Sequence, residues 1–150
     1  MSKERLYLAY GSNLNLEQMK HRCPTAEAVG TSVLRGWRLR FRGEAYSAVA
    51  TIERSKGSEV PVLIWRLQPR DELALDRYEG FPFLYRKETL RLPVNGKQVY
   101  AMVYIMNKAG RPYGAPTPGY FNTIREGYKS AGFDLDILYS AASASKEAHK

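Results

Sequence analysis

Cysteine and histidine are nearly missing from this 150-residue chain: Cys23 stands alone, and the two histidines, His21 and His149, lie far apart. A lone thiol cannot close an internal disulfide, and two distant imidazoles do not make a zinc cluster. The same shortage leaves no Ser/His/Asp or Cys/His set to assemble, which argues against hydrolysis through a covalent acyl-enzyme. Long hydrophobic runs are missing too. Met-Ser-Lys-Glu-Arg leads straight into the apolar stretch 6–10, too brief for a signal core or a membrane span. No internal repeat is visible, and acids are in deficit, with 15 Asp and Glu against 23 Lys and Arg for a net charge of +8. The reading is a cytoplasmic chain without metal, export signal or membrane partner.

What is present supports a core. With 44% hydrophobic residues at a length usual for one domain, the chain can bury roughly two-thirds of its unfolded surface. One domain is expected over residues 1–139, with the Ala/Ser-rich stretch 140–150 as a frayed tail. The positive charge is densest at Arg35, Arg38, Arg40 and Arg42, where Trp37, Leu39 and Phe41 alternate with the last three arginines. That is the period of a strand with one wet face, read as a solvated sheet surface rather than a phosphate-binding stripe. Other basic residues are scattered, so nucleic acid is disfavoured as a partner.

Turn and cap signals place the elements. A strand over 6–10 breaks at Gly11, and Asn13 or Asn15 can cap a helix to Arg22, with Leu16, Met19 and Cys23 as its apolar stripe. Strands follow at 32–43, 47–53 and 60–67. Pro69, Asp71 and Glu72 open a helix that turns Leu73, Leu75 and Tyr78 inward and ends before Gly80. Asn95-Gly96 joins strands 84–94 and 98–106 as a hairpin. Thr117-Pro118 starts a helix with Tyr120, Ile124 and Tyr128 on one face and Gly132 at its end; Asp134 can cap a short helix to about Ala142. About six strands with irregularly placed helices predict an α+β fold, a mixed, strongly bent sheet or small β-barrel with peripheral helices.

Three segments can carry chemistry. Tyr10-Gly11-Ser12-Asn13 is a strand-to-helix turn whose unpaired N–H groups could hold an anion or a developing oxyanion, although a tight turn with an Asn cap has the same pattern. It lacks the spacing of a Walker loop or of GxGxxG. Glu79 sits at the negative end of its helix, next to Tyr78 and the Gly80-Phe81-Pro82-Phe83 turn. Both surroundings disfavour the charged carboxylate and would raise its pKa toward neutrality, as a proton shuttle needs; an exposed helix-end Glu is the plain alternative. In 115–120, Ala-Pro-Thr-Pro-Gly-Tyr, the prolines fix an extended approach to a helix and Tyr120 offers a hydroxyl at its entrance.

Together the run 6–14, the segment 48–52, Glu79-Gly80 and 115–120 followed by Gly127 and Gly132 resemble the γ-glutamylcyclotransferases, in the same order and over roughly residues 5 to 140. The resemblance implies a mixed β-barrel with peripheral helices and release of 5-oxoproline from γ-glutamyl amino acids, peptides or amines without a cofactor. It implies that Glu79 is the catalytic group, that Tyr7, Leu8, Ala9, Tyr10, Gly11, Ser12 and Asn13 surround the substrate, and that Tyr120 hydrogen-bonds it. A homodimer stays open. The Phe81-Pro82-Phe83 turn is similar to that of the branches acting on γ-glutamylamines or γ-glutamyl antibiotics, an alternative for the leaving group. A non-catalytic module binding a small carboxylate or nucleic acid is the alternative of another class.

The chemistry needs few parts. A γ-glutamyl amide carries its own nucleophile, the α-amine, and intramolecular attack reaches effective molarities of about 10⁵–10⁸ M when the conformer is right. The protein then has to fold the substrate, move protons and stabilise the oxyanion; a missing oxyanion donor costs around 10²–10³ in rate.

Overall fold

The structure, a computed structural model, describes residues 4–149. Residues 1–3 and Lys150 lie outside it, and with them the N-terminal Met-Ser-Lys and the last residue of the expected tail. In chain order the elements are β1 (Arg5–Ala9), a 3₁₀ turn (Ser12–Leu14), α1 (Leu16–Arg22), β2 (Glu27–Arg42), β3 (Val49–Leu67), α2 (Pro69–Glu79), β4 (Tyr85–Val94), β5 (Lys97–Met106), α3 (Pro118–Ala131) and α4 (Leu135–His149).

The strands form one mixed sheet in the order β2-β3-β1-β5-β4, an α+β arrangement. The short β1 lies at its centre, antiparallel to β3 from Arg5↔Leu67 to Ala9↔Leu63 and parallel to β5 at Tyr7↔Met102. Its position between β3 and β5 explains why Leu8 and Ala9 are buried outright. The sheet bends until its edges approach: Ser32 Oγ donates to the Pro93 carbonyl, and Gly30 lies against Asn95 and Val94. Side chains bridge this gap and the ladder does not close, so the bent-sheet form of the expectation holds rather than the barrel.

Five strands stand where six were expected, because 47–53 and 60–67 are parts of the single strand β3. The register shifts opposite residues 55–58, between Arg35↔Glu59 and Trp37↔Arg54, so β3 crosses the irregularity without ending. Gly36 and Gly57, at φ 84° and 85°, supply the backbone that this kink requires.

The helices correct several expected details. Asn15 caps α1, its side chain accepting from Gln18 N at 3.0 Å, which leaves the Asn13 side chain for other partners. Leu16 faces solvent, whereas Met19 and Cys23 are buried. On α2, Leu75 enters the core, but Leu73, about 200° round the helix from it, is exposed, and Tyr78 is partly exposed at the helix edge. A reciprocal cap between Gln68 and the buried Asp71 fixes the start of α2, and Gly80 in the left-handed region ends it. Thr117 caps α3 as expected, and Ile124 and Tyr128 are buried. Gly127 lets α3 lie directly on the 3₁₀ turn: a Cβ there would stand 2.6 Å from Leu14 Cβ.

The arginine strand is only half as expected. Arg35 and Arg38 are exposed, but Arg42 pairs with Glu53 at 2.6 Å and both Arg40 and Arg42 lie over the Tyr113 ring, at 4.6 and 3.8 Å. No helix among the described residues is long and apolar enough to cross a membrane.

The stretch expected to fray is helical. α4 continues to His149, with Leu138, Ala141 and Ser145 as a buried stripe at helical spacing. Ser145 Oγ accepts from Phe41 N at 2.9 Å, satisfying a donor on the outer side of the edge strand β2. Ser145→Ala is expected to cost about 1–3 kcal/mol, the range for leaving a buried donor unsatisfied. Urea unfolding checks this, and an unchanged midpoint would show that α4 does not cap the sheet edge.

Candidate active site

β1 ends by delivering Tyr7 and then Tyr10 to the mouth of the 3₁₀ turn, where the chain must reverse sharply. Gly11 sits at this reversal because a Cβ would stand 3.1 Å from Ala50 Cβ and 3.8 Å from the Tyr120 hydroxyl. The C-terminus of α2, the start of β3, Tyr85 of β4, Tyr104 of β5 and the first turn of α3 meet the same point. Between them lies a cavity of about 220 Å³.

Glu79 lies at its wall. Asn13 Nδ2 donates to Glu79 Oε1 at 3.3 Å and to the Tyr7 hydroxyl at 2.9 Å. The Asn13 carbonyl oxygen accepts from Trp65 Nε1 at 3.0 Å, which anchors the turn to β3. Burial pushes the Glu79 carboxyl up to about 7, against a smaller downward pull from Arg22. The expected pKa rise thus has burial as its main physical cause.

The other hydroxyls divide by what they do. Tyr104 donates to Asp76 at 2.6 Å, and Asp76 in turn pairs with Lys87 at 2.8 Å. Tyr10 donates to the Tyr104 carbonyl at 2.7 Å and Tyr85 to the Ala50 carbonyl at 2.6 Å, so these protons are committed to the scaffold. Tyr7 and Tyr120 instead accept, from Asn13 and from Ala50 N at 3.0 Å. Ser12 Oγ and the Tyr78 hydroxyl share a bond of 2.9 Å. Burial raises the phenols of Tyr7, Tyr10, Tyr85, Tyr104 and Tyr120, so they stay neutral at pH 7. Glu79 is the acid that titrates at this wall.

The structure therefore brings Tyr7, Tyr10, Gly11, Ser12, Asn13, Glu79 and Tyr120 together. Leu8 and Ala9 do not reach the cavity: Leu8 alternates to the opposite face of β1, and both are packed in the core. The strand does not turn directly into a helix: the segment after Gly11 is a three-residue 3₁₀ turn and α1 begins only after Asn15, so little helix dipole stands behind the turn. The turn offers individual N–H groups. Tyr104 and Tyr85, which line the cavity, and Arg22, which holds Asn13, carry no sequence signal that singles them out. The alternation of β4 and β5 marks the two tyrosines only as inward-facing, and nothing local points Arg22 at Asn13.

No cluster of three or more His, Cys, Asp or Glu side chains able to hold a metal ion occurs among the described residues.

Residues 7–122 match the γ-glutamyl cyclotransferase, AIG2-like family. The chain is 30% identical over 146 residues to the γ-glutamylcyclotransferase of Bos taurus, covering 87% of this chain and 73% of that protein. It is 31% identical over 137 residues to that of Mus musculus, covering 85% and 71%. A solved structure of a γ-glutamyl cyclotransferase superimposes with a TM-score of 0.79 at 26% identity, over 93% of this chain and 86% of the other.

The raised carboxyl has a consequence for stability. The folded state holds the Glu79 proton more tightly than the unfolded chain, so this group's contribution is greatest below pH 4.5 and is lost as pH rises to about 7. Above that range the ionised carboxyl costs the fold about 3 kcal/mol. Glu79→Gln should therefore be more stable than wild type at pH 8 and equal to it at pH 4, read from urea unfolding at both pH values. Equal stability at pH 8 would mean that the carboxyl is not desolvated.

Proposed function

The chain belongs to the γ-glutamyl cyclotransferase, AIG2-like family, and on that premise we propose that it converts γ-glutamyl amino acids and peptides to 5-oxoproline and the free amine, with Glu79 as the proton relay. The observation that carries this reading is a single titratable acid at the cavity wall, 3.3 Å from the opening turn and poised at about 7. A binding module has no use for such a group. A cyclotransferase needs it twice.

The substrate's α-amine, with a pKa of roughly 8, arrives mostly protonated. That proton passes to solvent, and as the nitrogen lone pair attacks the γ-carbonyl carbon to close a five-membered ring, Glu79 as carboxylate takes one of the two protons the nitrogen still carries, leaving the single N–H of the lactam. Negative charge collects on the carbonyl oxygen. The first N–H groups of a 3₁₀ turn have no partner within the turn, and those of Gly11 to Asn13 stand at the wall where they can receive this charge. Glu79, now the acid, returns the proton to the departing nitrogen as its C–N bond breaks. A pKa near the working pH serves both halves.

Tyr120 accepts from the backbone N–H of Ala50, which leaves its own proton for the substrate or for Ser12. Tyr7, oriented by Asn13, is placed for the same task. The remaining tyrosines give an apolar wall that desolvates the carboxyl. The same reading sets the reaction in the turnover of glutathione-type γ-glutamyl compounds in the cytoplasm.

Incubation with γ-Glu-Ala should release 5-oxoproline, and Glu79→Gln should lower kcat by roughly 10²–10⁴ while the protein stays folded. Near-wild-type turnover in that variant would remove Glu79 from the mechanism. In the wild type, kcat/KM should fall on the acid side with a midpoint near 7, as the base is protonated.

A further inference from the structure

Arg22 ends α1 beside the cavity without lining it, yet its guanidinium is held on three sides. One amino group donates to Asn13 Oδ1, the other donates to Gln18 Oε1 at 3.1 Å, and the plane lies 3.5 Å over the Tyr78 ring. A guanidinium has donors only. It therefore accepts one end of the Asn13 side chain, the carbonyl oxygen, and forces the amide nitrogen to the opposite side, where it meets the Tyr7 hydroxyl and Glu79. The reversed amide would set its oxygen against the carboxylate and its N–H groups against the cation.

We infer that Arg22 is a positioning residue for the proposed reaction, which by fixing one orientation of the Asn13 amide aims N–H donors at the Glu79 carboxyl and the Tyr7 hydroxyl. The inference rests on the proposed role of Glu79. It also explains why Asn13 does not cap α1: Asn15 takes that task, and the Asn13 side chain is occupied between two elements.

Arg22 acts on Glu79 through space as well. Glu79 is faced by Tyr7 and Tyr10 at the end of β1, Tyr85 on β4, Tyr104 on β5 and Tyr120 on α3, all neutral phenols, and by Arg22 on α1. The charge and the fork of the guanidinium are separable. Lysine keeps the first and loses the second, together with the stack on Tyr78.

Arg22→Lys and Arg22→Met distinguish the two effects, with circular dichroism melting to confirm that both are folded. With γ-Glu-Ala, both variants should lose kcat by roughly 10- to 100-fold with KM little changed, the scale for a displaced catalytic group. The acid limb of the pH profile should move upward in Arg22→Met and stay in place in Arg22→Lys. Hydrogen exchange of the Asn13 side-chain amide, followed by NMR, should be faster in both variants. Wild-type kcat and an unmoved acid limb in Arg22→Met would overturn the inference, as would unchanged Asn13 amide exchange. Should the wild type release no lactam from any γ-glutamyl donor, the substrate reading fails by itself. The amide exchange still decides the role of Arg22, with faster exchange supporting it and unchanged exchange contradicting it.

Discussion

A carboxyl group taken out of water needs a donor or a proton, and in this molecule Glu79 has both within reach. Its contact with the Asn13 amide at 3.3 Å joins the end of α2 to the turn after β1, segments 66 residues apart. The rest of the architecture holds these two ends together. The Gln68–Asp71 cap sets where α2 begins and Gly80 sets where it stops, which puts Glu79 on its last turn. β1 is clamped between β3 and β5 and cannot slide, and α3 presses on the turn through Gly127. A shift of one residue in β1 would reverse Tyr7 and Leu8 and take the hydroxyl out of the site.

The electrostatics follow from the same arrangement. Much of the positive charge stands away from the cavity: Arg35 pairs with Glu59 and Arg5 with Glu72 toward the surface, and Arg42 with Glu53 in a largely buried pair. The cavity wall is made of phenols, the neutral polar groups of Ser12 and Asn13, apolar Val49, Ala50 and Leu84, and one carboxyl. In such surroundings a carboxylate is unstable enough to accept a proton at neutral pH and an added charge on the substrate is felt strongly, which suits a reaction whose one difficulty is moving a proton between two nitrogens. Lys87, beside the Tyr104 ring, is taken up by Asp76 and Glu72, and Arg22 is the cation that acts on Glu79.

Much of this was legible in the chain because it is written in local chemistry. Gly11 after a short strand, Glu79 before Gly80 and Thr117-Pro118 before Tyr120 each obey turn and cap rules that need no tertiary knowledge, and the cavity collects all three. What was not legible depends on distance. Whether Asn13 or Asn15 caps α1 is decided by Arg22 and Glu79, and only folding brings these to Asn13. Tyr85 and Tyr104 look like any inward strand aromatics until the order β1-β5-β4 sets them against the turn. Leu8 and Ala9 share a motif with their site neighbours, yet strand alternation sends Leu8 away from the cavity and neither lines it. The polar, small residues of 140–149 have the composition of a tail because a buried bond that ties them to the sheet, Phe41 N–H to Ser145 Oγ, spans 104 residues.

The proposed proton relay depends on the ionisation of one side chain, which ¹³C NMR reads directly from the labelled Glu79 carboxyl, assigned by its loss in Glu79→Gln. A titration midpoint near 7 is expected for the folded wild type. A midpoint at the ordinary value of 4.5 would contradict it, since a carboxyl already ionised well below neutrality is neither desolvated nor able to hand its proton on.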